Sequence, residues 1–243
     1  MKLIFLADLH FSLKQFDWLL ANAAEYDLII IGGDLLDISS ALDLDTQITV
    51  VEKYFGLLTK NAKLVISSGN HDGDSRNAAD ESIAQWLQDS RGEGIYVDGD
   101  GFDLEDTRIT VCPWWDGELS RAELEKQLER EATHSCKRWI WIHHAPPEGS
   151  STSWSGRKYI GDAFLRKWID RFQPDMVLSG HIHNAPFSEP GSWVDKIGRT
   201  WVFNTGRQTG SQPTTLTLDL ETMTAEWNSA WDRSVKDLRE VSV

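Results

Sequence analysis

A chain of 243 residues, 40% hydrophobic and 10% aromatic, can bury a sizeable core without disulfides or a structural metal, which excludes disordered, collagen-like and coiled-coil readings. Lys and Arg number 24 against 38 Asp and Glu, a formal charge of −14, and a field of that sign opposes non-specific binding to nucleic acid or anionic membrane. Cys112 and Cys136 are too few for a disulfide framework and suit a reducing compartment; the apolar run before Asp8 is too short for a signal segment or a membrane span, so a soluble, cytoplasmic protein is expected.

Short apolar runs then alternate with longer stretches of helical period. Residues 3–7 read as a strand, 15–24 as a helix with Phe16, Leu19, Leu20 and Ala23 on one face, and 27–31 as a strand apolar enough to be buried on both sides. Residues 43–59 are helical by the spacing of Ile48, Val51, Phe55 and Leu58, with 64–67 a third strand and 78–89 a third helix. This order predicts parallel strands joined by right-handed crossovers. Residues 94–98, the turn Asp98-Gly99-Asp100-Gly101, and residues 102–104 and 108–111 alternate with period two and read as an antiparallel hairpin and meander. A charge-laced helix (119–132), a strand (139–142), a helix (163–172) and a strand (176–179) follow, then antiparallel strands at 201–204, 214–220 and 225–229 and a short helical tail after Trp231. The Ser/Gly-rich stretch 148–156 is a loop rather than a linker. Residues 1–243 therefore read as a single α/β domain of two mixed sheets packed together, with helices outside.

The informative residues stand just after the apolar strands. They are Asp8-Leu9-His10, Gly32-Gly33-Asp34, Gly69-Asn70-His71-Asp72, His143-His144-Ala145-Pro146-Pro147 and Gly180-His181-Ile182-His183. In an open α/β sheet the carboxyl ends of the strands share one edge, where ligands bind. Oxygen and imidazole donors without thiolates suit Mn²⁺, Zn²⁺ or iron. In Asp8-x-His10 and His181-x-His183 alternate residues of extended chain project to the same side, so each pair can serve one ion or two adjacent ones.

These motifs resemble the full set of the calcineurin-like metallophosphoesterases, spanning residues 8 to 183. The resemblance implies a four-layer αββα sandwich and a dinuclear centre of two divalent metal ions, with Mn²⁺ favoured and iron, Zn²⁺ or Ni²⁺ as alternatives. It assigns one ion to Asp8, His10, Asp34 and His183. The second goes to Asp34, Asn70, a strand-end histidine and His181, with Asp34 bridging. The family register His-x-Pro-Pro prefers His144 over His143 as the strand-end ligand, which leaves His143 packed or hydrogen-bonded on the opposite face. Two such ions activate a bridging hydroxide that attacks phosphorus in line. The resemblance makes His71 the general acid that protonates the leaving alkoxide. An acid at the position of Asp37 holds the catalytic histidine in some branches of the family, and Asp72 is a candidate to hold a metal-bound histidine.

Further contacts are suggested more weakly. Trp114-Trp115-Asp116 can line a cleft for a flat group, with core packing as the alternative use. Arg157 and Lys158, and Asn204 and Arg207, are candidates to meet phosphate, with surface charge as the alternative for the first pair. The expected activity is hydrolysis of a small phosphodiester or phosphomonoester. The alternatives are a nuclease acting on DNA or RNA ends, a non-catalytic metal-binding scaffold, and a dinuclear hydrolase of another ester or amide. The acid excess argues against extended nucleic acid as a partner; the oligomeric state is left open.

Overall fold

The computed structural model describes residues 1–239. In chain order the elements are β1 (Lys2–Leu6), α1 (Leu13–Asn22), β2 (Leu28–Gly32), α2 (Leu44–Leu58), β3 (Lys63–Ser67), β4 (Ser75–Arg76), β5 (Ser82–Ile83), α3 (Gln85–Asp89), β6 (Ile95–Tyr96), β7 (Gly101–Leu104), β8 (Thr107–Val111), α4 (Glu118–Glu131), β9 (Arg138–Ile142), α5 (Ala163–Phe172), β10 (Met176–Ser179), β11 (Val194–Ile197), β12 (Thr200–Asn204), β13 (Thr215–Asp219), β14 (Thr224–Asn228) and β15 (Arg233–Asp237). They form a 7-stranded sheet, β15-β14-β13-β1-β2-β3-β6, and a 6-stranded sheet, β11-β12-β10-β9-β8-β7. Both are mixed. β1, β2, β3 and β6 run parallel, as do β8, β9, β10 and β12, while β13, β14 and β15 on one sheet and β7 and β11 on the other are antiparallel.

Side-chain alternation stacks the layers. On β1, Leu3 and Phe5 face the second sheet while Ile4 and Leu6 face α1 and α2, where Phe16, Leu19, Val51 and Phe55 cover them. On β9, Ile140 and Ile142 face inward, and Trp139 and Trp141 face out against Leu128 of α4 and Trp168 of α5. Three cores thus separate four layers, helix–sheet–sheet–helix. The last strands complete both sheets: β12 pairs with β10, and β13 pairs with β1.

Three sequence expectations need correction. Residues 78–89 are not one helix; a β4–β5 hairpin precedes a short α3. Polar side chains compete with the helix there: Asn77 Oδ1 accepts the N–H groups of Ala79 and Glu81, and Asp74 Oδ1 accepts those of Gln85 and Trp86. Residues 94–98 do not pair with 102–104. Instead β6 joins β3 in the first sheet, and the turn at Asp98–Gly101 carries the chain over to the second, where β7 pairs with β8. Alternation shows that a segment is extended, not which sheet takes it. The tail after Trp231 is β15, a strand on β14, rather than a helix; residues 240–243 lie outside the described part.

Candidate metal centre

Alternation along β9 continues past its end. With Ile142 inward, His143 turns out and His144 turns in, toward the shared edge of the two sheets. His143 is buried on the outer side with Nε2 3.6 Å from Asp162 Oδ2. His144 is fully buried, and its Nδ1 lies 2.7 Å from the carbonyl of Gly32, which can only accept. Nδ1 therefore carries a proton, which leaves Nε2 as the atom available to a cation. That Nε2 is buried with no hydrogen-bond partner among the described residues, 3.2 Å from Asp34 Oδ2 and 3.8 Å from Asp8 Oδ1. A histidine oriented through its other nitrogen, with its free nitrogen beside carboxylates, has the arrangement of a metal ligand.

The remaining strand-end residues converge on the same point. Asp34 Oδ2 lies 3.6 Å from His10 Nε2 and 4.0 Å from His71 Nε2. Asp8 Oδ1 lies 3.2 Å from His183 Nε2, and the Nε2 atoms of His10 and His183 face each other at 3.3 Å. Three groups have all their donor atoms within 4.8 Å: Asp8, His10 and His183; His10, Asp34 and His71; and Asp34, His144 and His181. The first and third are subsets of the two expected ion sites, with Asp34 beside both. Asn70 is exposed at the mouth, where its amide has no partner among the described residues; it lines a groove with Gly69 and Trp114.

The backbone is bent to achieve this. Asp8, His10, Asp34 and His181 all sit at positive φ, between 43° and 65°, a conformation that costs about 1–3 kcal/mol for a non-glycine residue and concentrates at functional sites. A side chain at Gly69 would run into the Asp34 carboxylate, and one at Gly33 (φ 92°) would come within 2.5 Å of His144 Nδ1, so both positions need glycine.

The electrostatics call for positive charge at the centre. Burial works to strip His144 of a proton, but Asp34, Asp8 and the Gly32 carbonyl together outweigh it and raise the pKa to about 10, so a cation beside Asp34 would take the place of the proton on Nε2. Asp34 moves the opposite way: burial resists, while His144 and the His71 N–H hold it well below the usual carboxylate range. His10 and His181 are drawn down to about 4, chiefly by burial, so at neutral pH their rings are uncharged and keep lone pairs for ligation.

The candidate supporting residues divide. Asp72 does not touch a ligand histidine. It is buried, and its two oxygens accept four N–H groups: Asp34 at 2.8 Å and Gly69 at 2.8 Å on Oδ2, Leu35 at 2.9 Å and Leu36 at 3.0 Å on Oδ1. It clamps the loop that presents Asp34. Burial, and then the Asp34 charge, push its pKa up to about 7 against those donors. Asp37 is not brought to His71 either: its Oδ1 takes the N–H and the O–H of Ser39 at 2.9 and 2.6 Å, while His71 Nδ1 is buried with no hydrogen-bond partner among the described residues. A serine two residues on is a nearer donor than a side chain across the cleft. Trp114 lies against the site, 5.8 Å from the His144 ring and 5.4 Å from that of His181, whereas Trp115 bonds Asp162 and packs on Phe164, and Asp116 holds the N–H of Ser82. Asn204 is buried and ties the carbonyls of Thr152 and Ile182; Arg207 Nε donates to the Asp8 carbonyl at 3.1 Å, and the Arg207 N–H to the His183 carbonyl at 3.1 Å. Arg157 and Lys158 are exposed on a turn docked by Asn184. The Gly32 carbonyl was missed in the sequence, because a backbone acceptor carries no residue signature.

Residues 1–185 match the calcineurin-like phosphoesterase family. The chain belongs to that family. No curated protein matches it. Among solved structures, TT1561 of Thermus thermophilus is similar with a TM-score of 0.60 at 13% identity, covering 98% of this chain and 99% of that one. Purple acid phosphatase PPD1 from yellow lupin (Lupinus luteus) seeds gives 0.62 at 13% identity, covering 98% of this chain and 52% of the lupin protein. GAP50, described as the anchor in the inner membrane complex of Plasmodium, gives 0.53 at 10% identity over 93% of this chain and 84% of its own. At these identities the likeness is one of fold. Membership of the calcineurin-like phosphoesterases supports a metal-dependent hydrolase acting on phosphoesters, and the Asp/His groups of this chain fit divalent ions in donor type and in the orphaned His144 nitrogen. Among the described residues, no helix is long and apolar enough to cross a membrane.

Proposed function

We propose that the chain is a single-domain, dinuclear metal-dependent phosphoesterase that hydrolyses a small phosphodiester, or a phosphomonoester, in the cytoplasm. The reading is carried by Asp34, a buried carboxylate with ring nitrogens of His10, His71 and His144 at 3.6, 4.0 and 3.2 Å. Asp8, His10, Asp34 and His183 would hold one ion; Asp34, Asn70, His144 and His181 would hold the other, with Mn²⁺ the favoured metal over iron, Zn²⁺ or Ni²⁺. Bound ions supply a water nucleophile at neutral pH and a clamp on phosphate oxygens.

His71 is the general acid. Its side chain is 21% exposed beside Asp34, and its backbone N–H is held on Asp34 Oδ1 at 2.9 Å, so the ring would be open to the leaving oxygen of a bound ester. Asp37 is withdrawn from this role in the proposal, since its carboxylate serves Ser39. The buried walls around His144 exclude water from the rear of the site and strengthen every charge interaction there.

The test is turnover of bis(p-nitrophenyl) phosphate by the Mn²⁺-loaded protein, its abolition by chelator, and elemental analysis for two ions per chain. A second reading, a non-catalytic metal-binding scaffold, draws support from a fold neighbour described as an anchor; it predicts bound metal with no turnover of that ester. Nuclease action on DNA or RNA ends is the remaining alternative, and a net charge of −14 supports small substrates over long ones.

A further inference from the structure

A cavity of about 380 Å³ lies between α3 and α4, under the loop that follows β8. A narrower groove of about 90 Å³ leads into it from Asn70, and the two share Ser68, Ile83, Ala84 and Trp114. The indole of Trp114 is thus a common wall, facing the His144 and His181 rings on one side and the cavity on the other. The cavity volume falls in the range of small-molecule pockets, roughly 300–1,000 Å³, well beyond what a phosphate and a simple alcohol fill.

Its lining is mixed, and the carboxylates of Asp98 and Glu123 are part of it. Pro113, Ile83 and the Trp114 ring give apolar and flat surface. Gln127 and Arg130 of α4 give polar groups. The Gln127 amide is fixed, because Nε2 donates to the Val111 carbonyl at 3.0 Å, and its oxygen has no partner among the described residues. Arg130 is exposed at the rim, and its guanidinium has no ion-pair partner among the described residues. A guanidinium matches the paired acceptors on a guanine edge, an amide reads the donors and acceptors of a base, and apolar or aromatic walls take the faces of the ring.

We propose that this cavity holds the nucleobase of a nucleoside phosphate whose phosphoryl group sits at the Asp34 cluster. The inference rests on the phosphoesterase reading and names its substrate class. The experiment compares guanosine 5′-monophosphate with ribose 5-phosphate, which carries the same sugar and phosphate but no base. Calorimetry on the Mn²⁺-loaded full chain is expected to show the nucleotide binding at least tenfold more tightly. Arg130→Glu, which breaks no side-chain hydrogen bond or ion pair among the described residues, and Ala84→Phe, which fills the cavity, are each expected to erase that difference. Circular dichroism melts check that both variants are folded. A difference below threefold in the wild type, or one that survives in both variants, overturns the proposal. Failure of the phosphoesterase reading shows separately, as absence of Mn²⁺-dependent hydrolysis of bis(p-nitrophenyl) phosphate, while the binding comparison still reports on the cavity.

Discussion

The two halves of the candidate metal centre are built differently. The inner half, Asp34 with His144 and His181, is tethered at its rear although Asn70 stands exposed at the mouth: His144 is fully buried and bonded to the Gly32 carbonyl, and Asp72 clamps the Asp34 loop through four N–H groups. In the outer half the side chains of Asp8 and His10 are buried as well, at 0% and 6% exposure, and of its three donors His183 is the one that opens to solvent. The His183 side chain is 36% exposed and meets its neighbours through ring contacts with His10, at 5.2 Å between centroids, and through Asp8. Pre-organisation lowers the cost of binding, because less conformational freedom is lost when the ion arrives. The inner half should therefore hold its ion more tightly and release it more slowly. Graded chelation followed by elemental analysis should show two steps, with the outer ion leaving first; loss of both ions in one step would contradict the contrast.

Variants can break or sharpen this difference. The largest effect is expected from Asp34→Asn, which removes the charge common to both halves. Metal content should fall toward zero and kcat by roughly a thousandfold or more, since metal-ion catalysis supplies several kcal/mol and each 1.4 kcal/mol is tenfold. His71→Ala should lower kcat by about 10²–10³ on an alkyl ester, less on a p-nitrophenyl ester that needs no acid, and leave both ions in place. An unchanged rate on the alkyl ester would remove His71 from the acid role. Asp72→Ala should loosen the loop that presents Asp34 to both ions, leaving buried N–H groups without an acceptor. Denaturant unfolding should register a loss of about 3 kcal/mol, and the affinity for metal should drop about 10- to 100-fold.

The smallest effect lies away from the centre, at Glu81. Its carboxylate accepts the N–H groups of Leu119 and Ser120 at 2.8 and 2.7 Å and so caps α4, the helix that carries Gln127 and Arg130. Burial works against the charge, but the Ser120 and Leu119 donors hold the pKa down to about 2 from an ordinary 4.5. A depressed carboxyl contributes stability that is complete above pH 4.5 and is lost as the pH falls toward 2. Glu81→Gln should therefore lower stability at neutral pH, where the carboxylate is charged, and leave it little changed near pH 2, which flattens part of the acid limb of a stability–pH profile. A parallel downward shift at every pH would contradict the assignment.

Much of the site was legible because the relevant physics is local. The family register His-x-Pro-Pro selects His144, strand period then sends His143 to the opposite face, and the Asp-x-His and His-x-His spacings place side chains together without reference to the rest of the chain. The four-layer αββα architecture followed from apolar runs alternating with amphipathic helices and from the family resemblance. The partners of the carboxylates were not legible. Asp37 and Asp72 are equally plausible supports in the sequence, yet one turns to Ser39 and the other to four backbone N–H groups. Likewise, no local pattern sends residues 95–96 to the first sheet and 101–104 to the second, or folds Glu81 onto the start of a helix 37 residues downstream. The sequence by itself determined which donors reach the shared edge of the sheets, since covalent geometry and side-chain period set direction along a strand. Only the tertiary structure decided which of them are tethered, which are exposed, and what cavity opens beside them, because each of those depends on hydrogen bonds and packing between segments far apart in the chain.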